Sequence, residues 1–150
     1  IHEIAEHVRQ LIEAEAKGGL EIERDYDPSL PDFSADGGQL TQAVLNLVRN
    51  ARQACGEGGQ ISLRTRVLRQ FTVGGSRYKL VCALQVIDDG PGVSEELLRM
   101  LCLPMVTGNA TGTGLGLSIA QRIANQHGGL IQVQSEPGNT CFTLLLPMEI

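Results

Sequence analysis

The chain has 150 residues, 42% of them hydrophobic, and carries a formal net charge of −5 from 12 basic and 17 acidic side chains. This length suits one domain with a single hydrophobic core. Its runs of consecutive apolar residues are far shorter than the roughly 20 that a membrane-spanning helix needs, so we expect no membrane contact. Excess acidic charge and an aromatic content of 3% argue against nucleic acid, which needs cations and stacking rings.

The four cysteines favour a reducing compartment. They are widely separated, form no C-x-x-C pair and have no histidine at metal-ligand spacing. No secretory signal opens the chain. We therefore expect free or buried thiols and a cytoplasmic location.

The first third of the chain predicts a helix, a strand and a second helix. Apolar side chains recur at helical spacing over residues 1–12, and Lys17-Gly18-Gly19 ends this helix. Apolar and charged residues alternate over 20–26, which predicts a strand followed by a proline-containing loop. Asp36 and Gln39 then have capping-box spacing before the most regular helix, which ends near Gly56.

The remaining elements pair mainly as hairpins. The patterns predict strands at 61–71, 78–87, 130–135 and 140–146, a short helix at 95–101 and a long helix at 114–127. Hairpin-linked strands with helices that must cover the sheet predict an α/β sandwich, an α+β fold. We expect a mixed, mostly antiparallel sheet with helices on one face, not a doubly wound parallel sheet.

Two asparagines on the regular helix form the first candidate site. Asn46 and Asn50 lie about 40° apart around the helix axis and flank its apolar face. An amide oxygen is a ligand that Mg²⁺ accepts, especially when the metal also holds nucleotide phosphates. Taken alone, the pair is more typical of a solvated or locally hydrogen-bonded helix flank.

An acidic, glycine-containing segment ends one predicted strand. In Asp88-Asp89-Gly90-Pro91-Gly92, a carboxylate precedes glycines that let the backbone approach a flat ligand. Because a carboxylate only accepts hydrogen bonds, it would favour the amino group of adenine over the acceptor oxygen of guanine. A plain Asp-Gly turn is the alternative.

A glycine-rich segment leads into the last long helix. Gly112-Thr113-Gly114-Leu115-Gly116-Leu117-Ser118 combines close-packed glycines with a helix N-terminus, where free backbone amides favour an anion. It matches neither a Walker A loop nor a dinucleotide-binding fingerprint.

In this order and at these separations, the three motifs resemble the N, G1 and G2 boxes of the ATP-binding catalytic domain of sensor histidine kinases. Three further segments resemble the nitrogen-regulation, NtrB-like branch of this family: Arg24-Asp25-Tyr26-Asp27-Pro28-Ser29-Leu30-Pro31, the Gly74-Gly75 hairpin and Pro104-Met105-Val106-Thr107-Gly108. The resemblance covers residues 18–150.

This resemblance implies a Bergerat fold that binds ATP and Mg²⁺. It implies that Asn50 binds the metal and that Asn46 lies near the phosphates, both acting in catalysis, while Asp88 accepts from the adenine amino group. The other implied nucleotide-binding residues line the base pocket, the phosphate cradle and its hinge: Gly90, Gly92, Gly112, Thr113, Gly114, Leu115, Gly116 and Thr140.

The resemblance also implies a domain organisation and partners. Residues 1–17 would be the C-terminal end of the dimerisation and phosphoacceptor helix, and residues 18–150 the catalytic domain. The implied activity transfers the γ-phosphoryl group of ATP to a histidine of that separate domain, within a homodimer. An NtrC-like response regulator and a PII-type signal protein are the further partners implied.

Two other functions stay open at this point. Related ATPases place a glutamate one turn before the metal-binding asparagine to activate water, whereas this chain has Asn46 there, which favours transfer to an imidazole over hydrolysis. A self-contained ATPase is therefore the first alternative. The segment 107–113 contains no Lys or Arg to meet the γ-phosphate, so a catalytically weak nucleotide-binding module is the second.

Overall fold

The structure, a computed structural model, describes residues 1–16, 21–31, 35–55, 59–90, 112–136 and 138–148. The helices are α1 (His2–Glu15), α2 (Gly37–Cys55) and α3 (Gly112–Gln126), and the strands are β1 (Ile22–Asp25), β2 (Ile61–Val73), β3 (Ser76–Asp88), β4 (Leu130–Glu136) and β5 (Asn139–Pro147). None of these three helices is long and apolar enough to cross a bilayer.

The predicted elements are confirmed within this part of the chain, with shifted ends. Helix α3 begins at Gly112, two residues earlier than predicted. Strand β1 ends at Asp25, one residue earlier than predicted, and only its first residue, Ile22, is buried. The short helix predicted at 95–101 lies outside the described residues.

The strands form one sheet in the order β1-β2-β3-β5-β4. Strands β1 and β2 are parallel, and the other three neighbouring pairs are antiparallel. The parallel pair arises because α2 carries the chain from the end of β1 back to the start of β2. This confirms the predicted mixed, mostly antiparallel sheet.

The helices cover one face of the sheet. Alternate residues of β3 and β5 join side chains of α2 and α3 in one buried cluster. In β3 this face carries Cys82, Leu84 and Val86, all fully buried. Asp88 is the next residue in the same alternation, so the strand directs a carboxylate toward the helix layer at the end of the core.

Helix α1 packs into this same core. Its apolar stripe of Ala5, Val8 and Ile12 is fully buried with residues of α2 and the sheet. The boundary predicted near residue 17 therefore does not coincide with a break in the core. The assignment of residues 1–17 to a phosphoacceptor helix stays a prediction.

The hairpin of β2 and β3 builds a smaller cluster on the opposite face. Val81 and Ala83 alternate with the core residues of β3 and pack with Val73 and Leu145. Gln70 of β2 has a positive φ of 51°, which is uncommon for a side-chain-bearing residue and marks a local change in the direction of the strand. Near the hairpin tip, Val73 is buried in this cluster, and Phe71 and Tyr78 are partly buried against it.

Gly129 provides a test of how tightly α3 is joined to the sheet. Its N–H donates to the carbonyl of Ala124 over 2.8 Å and, with Gly128 at a φ of 76°, ends the helix in a Schellman-like turn. A Cβ atom at Gly129 would lie 1.9 Å from the carbonyl oxygen of Leu145. This contact involves backbone on both sides, so rotation of a side chain cannot relieve it.

We expect Gly129→Ala to lower the free energy of unfolding by about 3 kcal/mol, since overpacking against backbone forces the turn away from β5. Urea denaturation monitored by circular dichroism measures the change. Gly37→Ala is the matched control, because a Cβ atom there meets nothing within 4 Å. Equal stability of the two variants would contradict the close approach.

Candidate functional site

Asp88 is a buried carboxylate with one unused oxygen. The residue is 2% exposed, and its Oδ1 accepts a hydrogen bond from the Gly90 N–H over 2.9 Å. Its Oδ2 is buried and has no hydrogen-bond partner among the described residues. Loss of water around the carboxylate raises the pKa of Asp88 and the charge of Asp89 adds to this rise, while the Gly90 hydrogen bond opposes it.

An unpaired buried acceptor is unfavourable unless a ligand supplies a donor. The free Oδ2 of Asp88 meets this description, and a planar amino group is a donor of suitable size. Asp89 behaves differently, because it is exposed and its Oδ1 accepts from the backbone N–H of Gln60 over 3.0 Å. The two adjacent acids therefore differ in role. Asp88 offers an oxygen to a ligand, whereas Asp89 holds the backbone just before β2.

The surroundings of Asp88 come from two chain segments, the end of β3 and the start of β5. Thr140 pairs directly with Asp88 across β3 and β5 and is 1% exposed. The Gly138 N–H donates to the carbonyl oxygen of Gly90 over 2.9 Å, which joins the turn between β4 and β5 to the end of β3. The structure thus brings Asp88, Gly90 and Thr140 together, while Gly92 lies outside the described residues.

The two predicted asparagines lie on α2, a helix whose N-terminus is capped by a side chain. Asp36 Oδ1 accepts from the Gln39 N–H over 3.0 Å, as an N-cap residue does. Both Asn46 and Asn50 are half-buried, on the flank of the apolar face as their spacing predicted. The Nδ2 of Asn46 is buried without a partner in the described parts of the chain.

Sequence reasoning missed one residue beside this pair. The Gln42 side-chain Nε2 donates to Asn46 Oδ1 over 3.1 Å. Residues four apart on a helix are neighbours, so the spacing of Gln42 and Asn46 was visible in the sequence. What the spacing did not show is that the other end of the Asn46 amide is buried.

The glycine-rich motif forms the first turns of α3. The helix begins at Gly112, so Gly112, Gly114 and Gly116 lie inside it, and the side chains over 112–116, including those of Thr113 and Leu115, are not described. The first backbone N–H groups of a helix have no intrahelical partner. Helix α2 contacts both α3 and β3, so one helix borders both other motif-bearing elements.

Both arginines of α2 contact Glu15 of α1. Arg52 lies roughly 160° from Asn50 around the helix, whereas Arg49 lies roughly 60° from Asn46. Arg52 Nη1 is 3.4 Å from Glu15 Oε2 of α1, and Arg49 Nη2 is 2.8 Å from Glu15 Oε1. These ion pairs join α1 to α2 at positions roughly 100° (Arg49) and 160° (Arg52) from Asn50 around the helix.

A cavity of about 510 Å³ lies elsewhere, between α3 and β4. Leu117, Gln121 and residues 130–134 line it, and none of them is a predicted site residue. These side chains are apolar groups and neutral amides, with no titratable group among them. The chemistry around Asp88 and α2 is therefore the stronger basis for a functional site.

Known proteins are similar to this chain in sequence and in architecture. A sensory histidine kinase/phosphatase NtrB of Vibrio alginolyticus is 49% identical over 150 residues, which are 99% of this chain and 43% of that protein. The chain therefore spans less than half the length of that relative.

Solved structures of two histidine kinases are similar as well. The catalytic domain of histidine kinase ThkA has a TM-score of 0.80 at 27% identity, covering 99% of this chain and 92% of that one. ThkA in complex with the response regulator TrrA matches with a TM-score of 0.74 at 25% identity, over 99% of this chain and 40% of that one. Full-length ShkA in complex with AMPPNP matches with a TM-score of 0.75 at 28% identity, over 97% of this chain and 29% of that one.

A family model covers most of the site. The model described as histidine kinase-, DNA gyrase B- and HSP90-like ATPase matches residues 35–150, a range that begins just before α2 and contains Asn46, Asn50, Asp88 and the glycine-rich turn. The helix-covered mixed sheet and the placement of these motifs agree with that match. The chain belongs to the histidine kinase-, DNA gyrase B- and HSP90-like ATPase family.

Proposed function

We propose that this chain is the ATP-binding catalytic domain of an NtrB-type sensor histidine kinase. In this function it transfers the γ-phosphoryl group of ATP to a histidine of a separate domain. The observation that carries the proposal is the buried Asp88 at the end of the core strand, whose Oδ2 has no donor among the residues that the structure describes. Similarity to NtrB over 99% of the chain supports the kinase assignment.

Adenine recognition follows from the chemistry of Asp88. With Oδ1 engaged by the Gly90 N–H, Oδ2 is left to accept from the exocyclic amino group of the base. Guanine places an oxygen at the corresponding position, so two acceptors would face each other without a proton. The buried Thr140 beside Asp88 limits access of water to this contact.

The asparagines and the start of α3 suit a polyphosphate. The Asn50 amide oxygen is a ligand that Mg²⁺ accepts, and the Asn46 amide nitrogen can donate to a phosphate oxygen. Bound Mg²⁺ would supply positive charge that offsets the charge on the phosphates. The free N–H groups at the start of α3, from Gly112 onward, add donors of the type that hold phosphate.

Residue 46 favours phosphoryl transfer over hydrolysis. An amide at Asn46 cannot take a proton from water, so the attacking water would lack a general base. A neutral imidazole needs no such base, because its nitrogen is already nucleophilic. Loose phosphoryl transfer depends mainly on positioning and charge stabilisation, which amide and backbone groups provide.

The proposed partners follow from the same assignment. They are the protein's own dimerisation and phosphoacceptor domain within a homodimer, an NtrC-like response regulator and a PII-type signal protein. A complex of the structurally similar ThkA with the response regulator TrrA supports the regulator as a class of partner. The cytoplasmic location stays a prediction.

Phosphoryl transfer in trans tests the function. The chain is incubated with Mg²⁺ and γ-labelled ATP, together with the segment of the Vibrio alginolyticus relative that lies outside the matched region. We expect acid-labile label on a histidine of that segment and less than one phosphate released per molecule of the chain alone. Several turnovers of hydrolysis without the segment would support a self-contained ATPase, and nucleotide binding without any label would support a binding module.

Asp88→Asn tests base recognition. Because the Gly90 N–H holds the oxygen of residue 88, the substituted amide would place its NH₂ group where Oδ2 now lies. We expect ATP affinity to fall by about 10- to 100-fold, as two donors then face each other, and the preference for ATP over GTP to shrink or reverse. Isothermal titration with both nucleotides measures this.

The matched control for base recognition is Asp89→Asn, since Asp89 is exposed and contacts Gln60 rather than the proposed base. We expect its ATP affinity to stay within about twofold of the original chain. Equal losses in the two variants, or an unchanged ratio of ATP to GTP affinity in Asp88→Asn, would contradict the assignment of Asp88.

Asn50→Ala tests the metal assignment. We expect ATP affinity to fall by about tenfold when Mg²⁺ is present and to change little when Mg²⁺ is removed by a chelator, because the alanine lacks only the metal ligand. Gln53→Ala, an exposed change one turn later on the same helix, serves as the control. A loss of equal size with and without Mg²⁺ would refute Asn50 as a metal ligand.

A further inference from the structure

The amide of Asn46 is held at one end and free at the other. Its Oδ1 accepts from Gln42 Nε2 over 3.1 Å, and its Nδ2 is buried with no partner in the described part of the chain. Gln42 itself is exposed, so solvent could satisfy its polar atoms without this contact. The pair therefore places an exposed amide against a half-buried one.

A carboxamide has two chemically opposite ends. Its oxygen accepts hydrogen bonds or binds a cation, whereas its nitrogen only donates. Rotation of the side chain by 180° exchanges them, and the shape of the group changes little. The neighbours of the amide therefore decide which end a ligand meets.

We propose that Gln42 is a positioning residue that makes Asn46 a hydrogen-bond donor to a phosphate oxygen of the nucleotide. By donating to Oδ1, Gln42 occupies the end of Asn46 that could bind a metal and turns the NH₂ group toward the buried side. The inference rests on the proposed function, which places the phosphates of ATP beside this flank of α2.

This assignment gives the two asparagines different roles. Asn46 contributes a donor to phosphate, and Asn50 alone contributes an oxygen to the metal. A phosphate oxygen is a pure acceptor, so it is the ligand group that best satisfies the orphaned Nδ2. The two arginines of α2, Arg49 and Arg52, form ion pairs with Glu15 of α1, so their charges are already paired with a carboxylate.

A purely structural role for the contact is the competing explanation. Polar pairs four residues apart add slightly to helix stability, and such a role would need no ligand. It predicts that changes at Gln42 affect unfolding but not the choice between ligands. The two explanations differ in their dependence on phosphate and on Mg²⁺.

The experiment compares Gln42→Leu with the original chain by titration of ATP with Mg²⁺, ATP with a chelator, and adenosine. We expect ATP affinity to fall by about fivefold to tenfold, to the same extent with and without Mg²⁺, because the loosened amide donates less often to phosphate. Adenosine affinity should stay within about twofold, since the base contacts Asp88.

Gln42→Glu provides a second, stronger variant. An acceptor at position 42 would attract the NH₂ end of Asn46 and turn its oxygen toward the phosphates, so we expect a loss of ATP affinity greater than that of Gln42→Leu. Gln39→Glu is the matched control, because it adds the same charge on an exposed residue that lies two turns before Asn46, whereas Gln42 lies one turn before it. We expect Gln39→Glu to lose clearly less affinity than Gln42→Glu.

A double variant separates positioning from general effects. In an Asn46→Ala background, Gln42→Leu should cause no further loss of ATP affinity, because the group that it positions is gone. Additive losses, a loss confined to Mg²⁺-containing samples, or an equal loss for adenosine would overturn the proposal. If the original chain binds adenosine and ATP equally, or binds neither, that result contradicts the proposed ATP-binding function itself. It is distinct from a result in which the original chain binds ATP as proposed and only the Gln42 variants behave differently from the expectation.

Discussion

The burial of one carboxylate shapes the whole site. Strand β3 directs alternate side chains into the core, and Asp88 takes the last of these positions. Within the described parts of the chain, only one of its two oxygens accepts a hydrogen bond. Because burial raises its pKa, the folded chain binds a proton more tightly than the unfolded chain. The stability from this group is therefore greatest below the ordinary carboxyl pKa and falls as pH rises toward the raised value. The ionised form of Asp88 disfavours the free folded state, and a donor from a ligand offsets this.

Local spacing predicted most of the elements, because helix and strand periods depend only on neighbouring residues. The pairing of Asp88 with Thr140 is different, since it depends on the register between strands far apart in the chain. The resemblance implied their proximity, and the residue pattern alone did not. In the same way, four-residue spacing could suggest a contact between Gln42 and Asn46. Only tertiary packing could show that Asn46 Nδ2 is buried.

Helix α1 shows a second limit of sequence patterns. Its apolar stripe predicted a buried face but could not identify what covers that face, because any apolar surface would serve. In the structure Val8 and Ile12 lie in the core, and polar contacts specify the seating. Glu13 Oε2 accepts from the Ile22 N–H over 2.9 Å, and Glu15 pairs with Arg49 of α2. Directional contacts of this kind, not hydrophobicity, fix how α1 sits on the domain.

The packing of α1 affects the site because different faces of α2 make different contacts. Its apolar stripe packs on the sheet, Arg49 and Arg52 contact Glu15, and Asn46 and Asn50 occupy the remaining positions between these two sets of contacts. A rotation of α2 that improved one set of contacts would disturb the other, since side chains on a helix turn together. Contacts between Glu15 and the two arginines therefore restrain the direction in which the asparagines point. Exposed ion pairs contribute little to stability, so the consequence of this restraint lies in orientation.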